Sequence, residues 1–427
     1  MKKITSLLLV GFSTWGFSQF AVNIKSNPNF SPKEVYFYTT NGSKDILVSK
    51  EIKKNNQWNL SFPNSYTGMM KAYFPEINYS LNFISENKNV NISLNAEGNK
   101  VQEVVYLDTA NQLMDELQST QRKQENILPV LYQIKDFYRP SSDFYKALDK
   151  EILSLSGQEL DFKGHSFIEY YNKNYNKFLV NSAKNPQPSQ EEIVSFITNS
   201  NDYLETSTLL RPLLVSYLRN SGAKGAEKSI DELLASVNLE TPRGQTVMSE
   251  LIEIFDMYSM TQLKDKYLTE AKNLKCTITD RLASTIENNE KTNIGAKFSN
   301  YAFHSPINTK AKSIYDVKAD KKIIVFWSST CSHCETELPK FIPHYQEFKK
   351  NNIEIIGLSF DADKPSFEAK AKMYPWISDS ELKGWYSSAA ELYNVHATPS
   401  YFILDANNVI ISKPNHFNDI IEYLGVK

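Results

Sequence analysis

Two cysteines three residues apart, in Trp327-Ser328-Ser329-Thr330-Cys331-Ser332-His333-Cys334, stand where the apolar run Lys322 to Ser328 gives way to a helical pattern over Glu335 to Lys350. That placement constrains the local fold to a buried strand feeding the N-terminus of a helix. Unpaired amides at such a terminus favour a thiolate, so Cys331 can ionise near neutral pH while Cys334 waits one turn deeper. The implied chemistry is thiol exchange: a Cys331 thiolate attacks a disulfide, and Cys334 then breaks the mixed disulfide from within the same chain. Half of a zinc site is the competing reading, but no second C-x-x-C exists, and His304 and His344 lack a metal-type spacing. A module kept only for binding has no need of both cysteines at this turn.

The chain has 427 residues, enough for two or three domains, and three are expected. Its 47 Lys and Arg balance 49 Asp and Glu, which leaves no net field for a polyanion or an anionic membrane and argues against a nucleic-acid partner. Lys2, Lys3 and the interrupted apolar stretch Ile4 to Phe17 read as an export signal, with cleavage expected after Ser18. A short membrane anchor is the alternative, but the run falls short of the roughly 20 apolar residues of a span. Stable membrane insertion of the mature chain is therefore not expected, and a periplasmic location is. Three cysteines are too few for a disulfide scaffold, so the close pair points to chemistry. Cys276 is expected to be a small buried residue, with a regulatory thiol as the alternative.

From Phe20 to about Leu94 short alternating runs, such as Glu34 to Tyr38 and Asn89 to Leu94, are separated by turn residues such as Asn41-Gly42-Ser43, which predicts a β-sandwich-like domain over residues 19–100. From Val101 the period becomes helical, and residues 101–292 are predicted to be all α. Breaks are expected at Pro186 and Pro188, followed by the capping-box pattern Ser189 to Glu192, at Asn220-Ser221-Gly222, and at Thr241-Pro242. Residues 293–427 return to alternating strands and helices, a parallel strand pair followed by an antiparallel hairpin, which is an α/β domain.

That last domain resembles the TlpA-type periplasmic thiol-disulfide oxidoreductases of the thioredoxin superfamily. The resemblance rests on the cysteine motif together with Ile294-Gly295-Ala296-Lys297-Phe298, Glu337-Leu338-Pro339, Ser378-Asp379 to Gly384-Trp385, and Tyr393 to Pro399 followed by Phe402-Ile403-Leu404-Asp405. The layout before it more loosely resembles the N-terminal β-domain found in many exported Bacteroidetes proteins. The family implies a thioredoxin fold without cofactor or metal, and a Cys331–Cys334 disulfide in the oxidised state. It implies a cis proline at Thr398-Pro399, and makes Thr398, Pro399 and Trp327 the expected substrate contacts. Thioredoxin's buried aspartate is replaced here by Val325. Glu337, at the position proposed in this family for a replacement base, would take the proton of Cys334, although a solvated surface glutamate fits the sequence as well. Thr330 replaces a tryptophan that often precedes the first cysteine, and Asn407-Asn408 replaces a common Asp-Gly turn.

His333 bears on direction, since a histidine beside the pair can stabilise the Cys331 thiolate and make the disulfide more oxidising; a solvated bystander is the alternative. The expected partners are protein thiols and disulfides and an upstream electron-transfer protein, within cell redox homeostasis. Reduction of substrates is favoured slightly over oxidation or isomerisation. The competing class is a binding or chaperone-like protein in which the first two regions do the main work. A peroxidase is opposed by the close second cysteine and by the absence of a Pro-x-x-x-Thr-x-x-Cys pattern before Cys331.

Overall fold

The alternating N-terminal runs form β1 (Phe20–Ser26), β2 (Glu34–Asn41), β3 (Lys44–Ile52), β4 (Gln57–Phe62), β5 (Thr67–Phe74), β6 (Tyr79–Glu86), β7 (Val90–Glu97) and β8 (Lys100–Tyr106). One four-stranded sheet has the order β4-β1-β7-β8 and the other β3-β2-β5-β6. Period 2 shows in β1, where Phe20, Val22 and Ile24 are buried and the residues between them are not. The helical reading from Val101 needs correction, because residues 100–106 pair with β7 across a register shift at Asn95/Ala96. The computed structural model describes residues 19–156, 160–180 and 187–426, so the export signal and Pro186 lie outside the described residues.

Helices follow as α1 (Thr109–Asn126), α2 (Leu128–Lys135), α3 (Asp143–Ser156), α4 (Ser166–Phe178), α5 (Gln190–Asn199), α6 (Tyr203–Thr206), α7 (Leu210–Val237), α8 (Pro242–Met257), α9 (Thr261–Lys272) and α10 (Asp280–Lys291). Ser189 and Glu192 form the expected reciprocal cap of α5, and Thr241 caps α8 with Pro242 in its first turn. Gly222 interrupts α7 at φ 66°, a backbone state that a residue with a Cβ avoids. Cys276 is half-buried rather than buried, and Gln245 Nε2 donates to its sulfur at 3.4 Å.

The chain divides into two compact units. Of the described residues, the first gathers 19–39, 47–72 and those of 81–172, and the second gathers 40–46, 73–80 and those of 173–426. Within the second, Ser43 donates to the buried Glu250 at 2.9 Å, and Arg211 and Arg281 both pair with Glu250 and Glu253 of α8. These charges are desolvated together, so removing one partner strands the others.

Residues 293–427 hold β9 (Lys321–Trp327), α11 (Ser332–Glu337), α12 (Tyr345–Lys350), β10 (Ile353–Ser359), α13 (Lys364–Ala371), β11 (Ile377–Ser380), α14 (Ser388–Leu392), β12 (Ser400–Asp405), β13 (Ile410–Ser412) and α15 (Phe417–Leu424). The sheet order is β11-β10-β9-β12-β13, with β9, β10 and β11 parallel and β12 antiparallel to β9. β9 and β10 are apolar runs buried on both faces, as a central parallel pair requires. The single helix expected over Glu335 to Lys350 is two helices joined by a 3-10 turn at Leu338–Phe341, because Pro339 and Pro343 each lack an amide hydrogen. At the hairpin tip Asn408 adopts φ 63°, and Asp405 accepts from the amides of Asn407 and Val409, both at 2.8 Å.

Candidate functional site

β9 ends at Trp327, and Cys331 is the N-cap of α11. The Cys331 sulfur accepts from the Cys334 amide at 3.2 Å and donates to the Thr398 carbonyl at 3.3 Å. The amide of the helix's first turn is thus aimed at the Cys331 sulfur. Sixty-seven residues separate Cys331 from Thr398. They meet because β12 lies antiparallel beside β9 in the register Ser400↔Phe326 and Tyr401↔Val325, so the turn before β12 falls next to the loop after β9. The Thr398-Pro399 bond is cis, and both residues are half-buried.

Asp361, a residue that no motif singles out, fastens the loop between β9 and Cys331. Its buried carboxylate accepts from the Ser329 amide at 3.0 Å, the Ser329 hydroxyl at 2.6 Å, the Ser328 hydroxyl at 3.2 Å and the Ser359 hydroxyl at 2.6 Å. The available signal is Ser359-Phe360-Asp361 at the end of a buried parallel strand, the sheet edge where sites of open α/β domains gather.

Cys334 is 2% exposed, in a cluster with Trp327, Leu338, Phe341, Trp376 and Tyr401. Burial, and after it the neighbouring Cys331, pushes its thiol up to about 12. The two sulfurs thus differ in kind: Cys331 is half-buried with a donor aimed at it, and Cys334 is enclosed behind it. Neither sulfur is bonded to another in this structure.

The other residues expected from the sequence are distributed unevenly. Trp327 is buried against Phe367 and Tyr374, so it supports the cysteine loop from below and offers no substrate surface. Its indole requires Gly357 on β10, where an added Cβ would lie 2.9 Å from Trp327 Nε1. His333 is exposed on the first turn of α11. Glu337 is half-buried; it pairs with Lys340 and accepts from the Phe417 amide, which opens α15, at 2.9 Å. Burial alone would raise its carboxyl, but Lys340 and that amide outweigh burial and hold it below the usual carboxylate range. Behind the cis proline, α8, α9 and the turn enclose a cavity of about 520 Å³ lined in part by Asp256, Lys264, His396, Pro399 and Lys413.

Fold and site together define a thioredoxin-like domain, and residues 294–413 match the AhpC/TSA family. Among individual proteins, the chain is similar to the thiol-disulfide oxidoreductase ResA of Bacillus cereus, 26% identical over 128 residues, covering 29% of this chain and 70% of the relative. ResA of Bacillus subtilis (strain 168) is 22% identical over 108 residues, covering 24% of this chain and 58% of the relative. Of solved structures, the thioredoxin domain of a Bacteroides vulgatus thiol-disulfide oxidoreductase matches at 21% identity and TM-score 0.29, covering 31% of this chain and 96% of that one. A thiol:disulfide interchange protein from Bacteroides sp. matches at 18% identity and TM-score 0.28, covering 31% of this chain and 89% of that one. Among the described residues no helix is long and apolar enough to cross a membrane.

Proposed function

We propose that the chain is an exported thiol-disulfide oxidoreductase that reduces protein disulfides through Cys331 and Cys334. The supporting observation is the asymmetry of the pair: the Cys331 sulfur sits between the Cys334 amide and the Thr398 carbonyl, with the Cys334 sulfur buried behind it. Cys331 as thiolate attacks a substrate disulfide, one substrate thiolate leaves, and a mixed disulfide forms. Cys334 then loses its proton and attacks Cys331, which closes the Cys331–Cys334 disulfide and releases the second substrate thiol. Two electrons pass to the substrate, and an upstream dithiol protein restores the reduced pair.

The cis turn at Thr398-Pro399 supports a docking role for an extended substrate segment, with Thr398 offering backbone beside Cys331. The cavity between α8, α9 and that turn supports a selectivity role for the helical region. The Lys2-Lys3 and apolar leader of the sequence supports export to the periplasm. Glu337 is a poor acceptor with its carboxylate already engaged, and its proposed role is to hold α11 to α15. Turnover of a protein disulfide such as insulin tests the reading: activity in the parent and none in Cys331→Ser supports it, and undiminished activity in Cys331→Ser refutes it.

A further inference from the structure

Tyr401 combines burial with an unmet polar group. It is the second residue of β12, and its cross-strand partner is Val325 of β9. Directly paired residues project from the same face of a sheet. That face belongs to the cluster holding Cys334, Leu338 and Phe341, and the Tyr401 ring lies 5.9 Å from that of Phe341. Tyr401 is 2% exposed, yet its hydroxyl has no hydrogen-bond partner among the described residues. A phenylalanine would fill the same space without desolvating a hydroxyl, so packing does not account for the oxygen.

Burial first, then the Glu337 carboxylate, and after it Cys334 and Cys331 whenever either ionises, push the phenol up, so it stays protonated and available as a donor. Glu337 is already bound by Lys340 and the Phe417 amide, and the Cys331 sulfur already receives the Cys334 amide. Cys334 must become an anion inside an apolar cluster during turnover, and that is where a waiting donor has most effect. The cross-strand partner of Tyr401, Val325, is apolar, so Tyr401 supplies the polar group of that pair.

We propose that the Tyr401 hydroxyl donates a hydrogen bond to the Cys334 thiolate as it forms, which makes Tyr401 a further catalytic residue of the resolving step; this rests on the exchange reading above. In that step the Cys334 proton passes to base in the solvent, and a sulfur electron pair forms the Cys331–Cys334 bond. The bond from Cys331 to the substrate sulfur breaks, and the departing thiolate, now reduced, takes up a proton. Tyr401 keeps its own proton throughout.

The test is a single-turnover reaction of the full-length reduced chain, in excess, with Ellman's reagent, in a Cys276→Ser background. Attack by Cys331 releases one thionitrobenzoate, and resolution by Cys334 releases a second. In Tyr401→Phe the first phase keeps its rate, the second slows at least about tenfold, as loss of a hydrogen bond to a charged group implies, and the thermal midpoint does not fall. A second phase at the parent rate overturns the proposal, as does a parallel slowing of both phases with a lowered midpoint, which would make Tyr401 a packing residue. If the parent chain itself releases only one equivalent, the exchange reading fails, and the proposal fails with it for a reason independent of Tyr401.

Discussion

Replacing Glu337 with glutamine separates an anchoring carboxylate from a catalytic base. The side chain keeps its shape and can still accept from the Phe417 amide, but it loses the charge that strengthens that bond and pairs with Lys340. A charge-assisted hydrogen bond is about twice as strong as a neutral one, so the loss at the amide is on the order of 1 kcal/mol. Lys340 is 43% exposed, which limits its share to about 0–1 kcal/mol. The expected destabilisation is therefore about 1–2 kcal/mol, a drop of roughly 3–10 °C in the midpoint of a domain this size. The folded carboxyl lies below its ordinary value of 4.5, so its contribution is complete above that pH and is lost as pH falls through the folded value. The stability gap between Glu337→Gln and the parent should thus be full at pH 7 and close in acid, measured by thermal unfolding across pH. Insulin reduction at neutral pH should keep its pH profile. An unchanged midpoint together with a lost limb in the pH–rate profile would refute the anchoring role and restore Glu337 as the base.

Asp361→Asn should loosen the loop before Cys331, since an amide cannot accept from all four groups that now bond to the carboxylate; a loss of about 2–3 kcal/mol in denaturant unfolding and slower alkylation of Cys331 are expected, and unchanged alkylation would show that the loop holds without it. His333→Pro should lower the reduction potential of the pair from a parent value between about −270 and −120 mV, because it removes a group near the Cys331 thiolate at a helix position whose amide has no partner to lose. Glutathione equilibration reads this directly, and an equal potential would make His333 a bystander.

The parts of the fold legible in the sequence are those whose signals are local. The Ser189 to Glu192 cap, the Thr241-Pro242 start and the Gly222 break each depend on a few neighbouring residues, and each stands where the sequence puts it. The placement of Cys331 and Cys334 at a strand-to-helix turn is local in the same sense. What is not legible depends on distant partners. β11 escapes a sequence reading because Ser378, Asp379 and Ser380 look like loop residues; they are buried, and Asp379 accepts from the amides of His304 and Ser305, more than seventy positions earlier. Asp361 acquires its role only when β10 pairs with β9, and Tyr401 only when β12 does. The helix after Cys334 looks longer in the sequence than it is, since its apolar period runs through Pro339 and Pro343.

The most direct test of the exchange reading is trapping by Cys334→Ser, which leaves Cys331 able to attack a protein disulfide and unable to release it. Reducible high-mass adducts should accumulate in the exported fraction, persist when Cys276 is also replaced, and vanish in the Cys331→Ser, Cys334→Ser double variant. Adducts that survive loss of Cys331 and disappear with Cys276 would contradict the assignment and move the exchanging thiol to the helical region.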